Sequence, residues 1–283
     1  MRRSKVLTKV RSGQPSLGVC LHLTDPSVYE MASMLGFDAI WMDLEHHVYS
    51  LETGANLMRA ARVGDVDIVA RPGKGEFMRM SRMLEAGATG IMYPRCDSSD
   101  EAREVVKWAR FAPLGKRGFD GSNPDVPYML TPMGQYVREA NEQTFVLIQL
   151  EEPHAVEQAE AIAAVPGVDM LMFGPADFSV ITGIPGQFAH PSIGVALDKV
   201  ARAAANTGKH WAATCGTPDV ARQMIDKGAS LVFHGCDIVF VKSGLEQVRA
   251  AMIERGLKLP APGSAATADG KAHPARSYLE ESR

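Results

Sequence analysis

Four stretches of the sequence end an apolar run on groups able to do acid–base or metal chemistry. Residues 39–49 read A-I-W-M-D-L-E-H-H-V-Y, so Asp43, Glu45, His46 and His47 follow a run that stops at Met42. D-I-V-A-R-P puts Arg71 at the end of a second run, F-V-L-I-Q-L-E-E puts Gln149 and Glu151 at the end of a third, and M-L-M-F-G-P-A-D puts Asp177 just past a Gly-Pro turn. Alternation along an extended chain sets Gln149 and Glu151 on one face. Two carboxylates at neighbouring strand ends, with few other anions, suit one hard divalent cation and leave positions for water and substrate. Glu151 alone reads equally well as a cap for the helix opened by Pro153. Asp177 beside it favours the cation. An arginine leaving a buried strand needs an anionic partner. Arg71 is therefore a structural ion pair, or a clamp for a carboxylate or a developing enolate oxygen. His46, close to that cation and arginine, fits a general base. Alternation turns His47 the other way and assigns it a structural place.

Groups so far apart in sequence converge only if the elements carrying them are arranged in a ring or a sheet. Eight short apolar runs occur, at 17–23, 39–42, 67–71, 90–94, 145–150, 170–173, 211–214 and 231–233. They are continuously apolar rather than alternating, as parallel strands covered on both faces are. Between them lie segments of helical period, such as Val28, Met31, Ala32 and Leu35 ahead of Gly36. Eight such units in 283 residues predict a (β/α)8 TIM barrel in a single domain. A doubly wound sheet is the alternative, weakened by the lack of G-x-G-x-x-G after the first strand. In a barrel the site lies at the C-terminal strand ends, where all the residues above fall. Residues 1–15 read as an exposed basic helix and 16–258 as the barrel. Residues 111–143 read as an inserted loop of the functional kind, and 259–283 as a disordered tail.

Hydrophobic residues make up 46% and charged residues 22%, with a net charge of −3 and no basic block. Nucleic acid therefore has no electrostatic foothold. Cys20, Cys96, Cys215 and Cys236 are widely spaced without a C-x-x-C pair, and the spacing supports neither a disulfide nor a zinc reading. No apolar stretch is long enough for a membrane span, and the basic start lacks a signal-peptide core. The expectation is a cytoplasmic protein.

Taken together, M-D-L-E-H, V-A-R-P, I-Q-L-E and above all G-V-D-M-L-M-F-G-P-A-D-F-S resemble the class II pyruvate-specific aldolases of the aldolase/citrate lyase superfamily. The likeness spans residues 16–256. It implies a metal-dependent carbon–carbon lyase of the phosphoenolpyruvate/pyruvate-binding barrel type, acting on a small-molecule 2-oxo acid and an aldehyde. It implies that Glu151 and Asp177 ligate Mg2+, Mn2+ or Co2+, and that Gln149 with the Gly174-Pro175-Ala176-Asp177 turn holds pyruvate. Arg71 would stabilise the enolate and His46 would move the proton. A carboxylate in the helix after the third strand would support that histidine. The matching residue is Glu85, where the family more often has aspartate. The resemblance also implies a dimer-based homo-oligomer, often a hexamer built as a trimer of dimers, and an insertion that lines the aldehyde side.

A Schiff-base aldolase is the close rival. It needs a desolvated lysine on a strand inside the barrel, and the eleven lysines fall in helices, loops and termini. An acyl-CoA lyase needs a basic channel. Arg95, Lys116 and Arg117 are its candidates, but they form no evident cluster. A pyruvate-enolate enzyme such as an oxaloacetate decarboxylase shares the chemistry. A catalytically silent binding barrel is disfavoured by intact Glu151, Asp177, Arg71 and His46.

Overall fold

The computed structural model describes residues 1–262. Most of the expected tail lies outside the described residues. Eight parallel strands close into a barrel in sequence order. They are β1 Ser16–Leu21, β2 Ala39–Asp43, β3 Asp67–Arg71, β4 Gly90–Tyr93, β5 Phe145–Leu150, β6 Met170–Phe173, β7 His210–Cys215 and β8 Leu231–Cys236. The helices are α1 Lys5–Arg11, α2 Pro26–Met34, α3 Leu51–Ala60, α4 Phe77–Ala86, α5 Ser99–Ala109 and α6 Met133–Gln143. After β5 come α7 Pro153–Glu157, α8 Ala159–Ala163, α9 Pro175–Ile181, α10 Pro191–Asn206, α11 Pro218–Asp226 and α12 Asp237–Glu254.

The strands β2 to β6 are buried throughout, which is why they read as unbroken apolar runs. Inside the barrel Trp41, Val69, Met92, Phe145, Leu147, Met170, Met172 and Phe233 fill the bore. Small residues make room for the large ones. A Cβ on Gly18 would overlap the Phe233 ring, and one on Gly90 would overlap the Phe145 ring. Proline sits in the first turn of α2, α7, α9, α10 and α11, where its missing N–H costs nothing and its φ suits the helix.

Two expectations about the periphery are corrected. The basic N-terminal helix is not exposed. Val6, Leu7 and Val10 of α1 are buried with Trp41 and Phe233, so α1 closes the N-terminal end of the bore. The buried Asp67 anchors it, accepting from Ser4 Oγ at 2.6 Å and Val6 N at 2.8 Å. The 111–143 insertion is not loop throughout, since its second part is α6. It builds its own small core from Phe111, Val126, Tyr136 and Ala140. Its ties run to the N-terminal end of the barrel: Arg62, just past α3, donates to Pro124 O at 3.5 Å, and Arg110 donates to Thr144 O at 2.8 Å. Within one chain the insertion therefore lies opposite the strand C-termini rather than beside them.

Candidate active site

The register pairs Asp43, the last residue of β2, with Arg71, the last residue of β3. Arg71 donates through Nε to Asp43 Oδ1 at 2.9 Å and through Nη2 to Oδ2 at 2.7 Å. The guanidinium lies 4.6 Å from the centroid of the Trp41 ring, at the top of the bore. Its Nη1 points at Gln149 Oε1, 3.4 Å away on β5. Its Nε also lies 3.2 Å from Glu45 Oε2. Burial pushes the Asp43 carboxyl up, but the hydrogen bonds and charge of Arg71 outweigh it and hold the group below its ordinary value. Asp43 also shapes the turn that follows, because Oδ1 accepts from Glu45 N at 3.0 Å and from His46 N at 3.5 Å.

Glu151 follows β5 and is 2% exposed. Its Oε2 accepts from Arg95 N at 3.0 Å. Arg95 takes a φ of 48° there, a left-handed conformation costly for a side-chain-bearing residue and commonest where a site demands it. Gly174 opens the turn after β6. A Cβ on it would overlap the Glu151 carboxylate, so glycine at that position makes the space the carboxylate occupies. Burial first, and the charge of Asp177 second, push the Glu151 carboxyl up to about 7. Two mutually repelling carboxylates, one of them buried, are residues that could hold a cation. Glu45 is raised in the same way, by burial first, while Arg71 and His46 pull it down, and its buried Oε2 has no hydrogen bond. Asp177 is half-buried in the first turn of α9 after Pro175, with Ala176 exposed beside it.

The histidines differ from expectation. His46 is exposed, with Nε2 3.6 Å from Glu45 Oε2. His47 does not turn away from the mouth. Its ring packs against His22, tilted by 30° with centroids 4.2 Å apart, and its Nε2 reaches to 4.0 Å from Asp43 Oδ2. The residues after β2 form a turn, not a continuing strand, so strict alternation does not apply. Glu85 is likewise not brought to His46 within one chain. It is the penultimate residue of α4, which runs back toward the N-terminal end of the barrel. There burial raises its carboxyl, Arg117 opposes that rise, and Asp120 and Asp125 add to it.

The structure thus gathers Arg71, Gln149, Glu151, Gly174 and Asp177 at one end of the barrel, with His46 at its rim. Asp43, Glu45, the Arg95 backbone and His22 belong to the same mouth, although none of them is among the catalytic, substrate or metal residues expected from the sequence. The Asp43–Arg71 pairing is a matter of register, and register is not written in either stretch alone.

A closed (β/α)8 barrel thus brings a buried arginine and two carboxylates to its strand C-termini, the end at which barrel enzymes place their active sites. The chain belongs to the HpcH/HpaI aldolase/citrate lyase family, whose model matches residues 17–243. It is 29% identical over 256 residues to a hydroxypyruvate/pyruvate aldolase of Pseudomonas aeruginosa, covering 90% of this chain and 95% of that one. It is 33% identical over 210 residues to a 4-hydroxy-4-methyl-2-oxoglutarate aldolase of Chaetomium globosum, covering 73% and 78%. Among solved structures it is similar to an HpcH/HpaI aldolase from Desulfitobacterium hafniense, with a TM-score of 0.81, 29% identity and coverage of 90% and 97%. The chain is an aldolase, a carbon–carbon lyase.

Proposed function

We propose that the chain reversibly cleaves a 4-hydroxy-2-oxo acid to pyruvate and an aldehyde at the mouth formed by β2, β3, β5 and β6. The observation that carries this reading is the placement of Arg71. It is a buried cation held by Asp43 and aimed at Gln149, beside the raised carboxylate of Glu151.

Glu151 and Asp177 would hold a divalent cation. The donor set fits, since both are hard oxygen ligands, burial and Asp177 raise the Glu151 carboxyl in spite of Arg71, and Gly174 leaves the carboxylate its room. Mg2+, Mn2+ or Co2+ at these residues would supply Lewis-acid polarisation of the keto group. Arg71 places a second positive charge beside the oxygen on which negative charge develops as the carbon–carbon bond breaks. Gln149 and the backbone of the Gly174–Asp177 turn orient the acid carboxylate. His46 takes the proton from the C4 hydroxyl in cleavage, the C3–C4 electron pair moves into the pyruvate enolate, and the aldehyde leaves. The enolate then takes a proton at C3 to give pyruvate. The trapped geometry of Arg71 means little reorganisation is needed when charge appears.

We also infer a homo-oligomer. Of the 18 residues of α12, only Asp237 is buried, and Phe240, Val241, Leu245 and Val248 are each at least half exposed. A contiguous apolar face of that kind marks a surface covered in the assembled protein. No described helix is long and apolar enough to cross a membrane.

The test is direct. A panel of 4-hydroxy-2-oxo acids is incubated with the full chain and each divalent metal, and pyruvate is read by coupling to lactate dehydrogenase. Pyruvate release from at least one acid supports the proposal. No release from any acid with any metal defeats it, as does borohydride trapping of a covalent pyruvate adduct.

A further inference from the structure

A second group of metal-ligating side chains lies further round the barrel mouth from Glu151 and Asp177. Strands β5 and β6 carry that pair, whereas the second group sits where β8 meets β1, three strand positions further round the eight-strand ring. His22 follows β1, Cys236 ends β8 and Asp237 opens α12. One donor atom from each of the three lies within 4.8 Å of the others. His22 Nδ1 is 3.4 Å from Asp237 Oδ1. Asp237 is fixed before any ion arrives: Oδ2 accepts from His22 N at 2.8 Å and Leu23 N at 2.7 Å, and Oδ1 accepts from Ile238 N at 2.8 Å. His22 is fixed on its other side, with Nε2 3.3 Å from Cys20 Sγ and its ring packed at a tilt against His47. A ligating imidazole whose second nitrogen is held by a neighbour has its tautomer and ring orientation set in advance.

We propose that His22, Cys236 and Asp237 form a transition-metal site, distinct from the Glu151–Asp177 pair, that clamps the seam between the first and last strands of the barrel. One nitrogen, one sulfur and one carboxylate oxygen make a borderline-soft set, which takes Zn2+ or Co2+ and discriminates against Mg2+. The three protein donors leave a fourth tetrahedral position for water. Binding releases the Cys236 thiol proton to solvent, so the sulfur ligates as thiolate. The seam benefits from a clamp because the β1–β8 register shifts between Gly18 and Cys20, interrupting the ladder just below the site.

Cobalt is the probe. The full chain, stripped of metal with a chelator, is titrated with Co2+ and followed by thiolate-to-cobalt charge-transfer absorption. The band should appear in the native chain and in Glu151→Gln, which disables only the other pair. It should be lost in Cys236→Ser and in His22→Ala. A native chain with no such band at saturating Co2+ overturns the proposal, and so does a band that survives Cys236→Ser. A second measurement needs no variant. Alkylation of Cys236, read by peptide mass spectrometry, should be slowed by Zn2+ and not by Mg2+. Equal labelling in the two ions overturns the site on its own.

Discussion

Arg71 and Asp43 face each other across the β2–β3 register with two near-parallel hydrogen bonds, 2.9 and 2.7 Å long. Such a fork fixes the guanidinium plane as well as its position, which an ammonium cannot do. Arg71→Lys should therefore keep the charge and lose the aim, cutting pyruvate release by about 10²–10³-fold, the usual worth of one oxyanion donor. Asp43→Ala should instead destabilise the fold, by up to ~3–5 kcal/mol, because it removes the fork that pairs a buried cation and leaves Glu45 as its remaining carboxylate. Steady-state kinetics and urea unfolding separate the two effects. An Arg71→Lys enzyme of native activity would remove Arg71 from the reaction.

His46→Ala should lower aldol cleavage by ~10²–10⁴-fold, the usual contribution of a general base. Decarboxylation of oxaloacetate needs no hydroxyl deprotonation and should fall much less. His47→Ala should be milder in cleavage, since His47 is engaged with His22 and Asp43. Equal cleavage by the two variants, or parallel loss of both reactions in His46→Ala, would move the proton-transfer role elsewhere.

EDTA should abolish cleavage, and Mg2+, Mn2+ or Co2+ should restore it. Glu151→Gln removes the charge but keeps the shape. It should weaken the activating metal by one to several decades, read as a shift in the metal concentration for half-maximal activity. Full activity in EDTA would refute the cation role of Glu151 and Asp177.

Asp67 gives a pH signature of stability far from the mouth. Burial outweighs the hydrogen bonds from Ser4 and Val6 and raises its carboxyl from 3.8 to about 6 in the folded chain. The folded state thus binds the proton more tightly than the unfolded one. The resulting stability is complete at low pH and is lost as pH rises from about 4 through about 6, by up to ~3 kcal/mol. Asp67→Asn cannot titrate. The stability difference between native chain and variant, from urea midpoints, should fall across that window and then level. Parallel curves would show that Asp67 does not change its proton affinity on folding.

Light scattering at micromolar concentration should give the mass of an oligomer. Leu245→Asp and Val248→Asp on α12 should shift it downward. A monomer mass for the native chain would refute the assembly.

Much of this architecture is legible in the sequence because buried parallel strands need no alternation. The eight apolar runs fall on the eight strands within a few residues, as at 67–71 and 145–150, where the ends coincide. The polar residues closing those runs were legible for the same reason, since a charge after a buried strand has nowhere else to go. What failed were relationships that cross elements or leave regular structure. His47 lies in a turn, where period-two alternation carries no information. The α1 helix looks basic because Lys5 and Lys9, which pair with the buried Asp38 of the barrel, read in sequence as solvated charges, and its three buried residues are too few to show a pattern. Glu85 was matched by its place in α4, and that place is at the far end of the barrel. His22 and Asp237 stand 215 positions apart, so no spacing rule for metal ligands could join them.

That separation also bears on how the chain matures. Asp237 holds the backbone at the end of β1 through two N–H groups, yet it is made only after β8 is complete. Contacts of such long range come late in folding, because the loop they close costs entropy before it returns contact energy. A nascent chain emerging in order therefore carries β1 to β7 with their outer helices and an unfinished rim. Chains truncated before Leu231, and so lacking β8, should be collapsed but open at the β1 edge, exposing an unpaired parallel strand to other chains. In this protein the last strand and its first helical residue decide between a closed enzyme and an aggregation-prone intermediate.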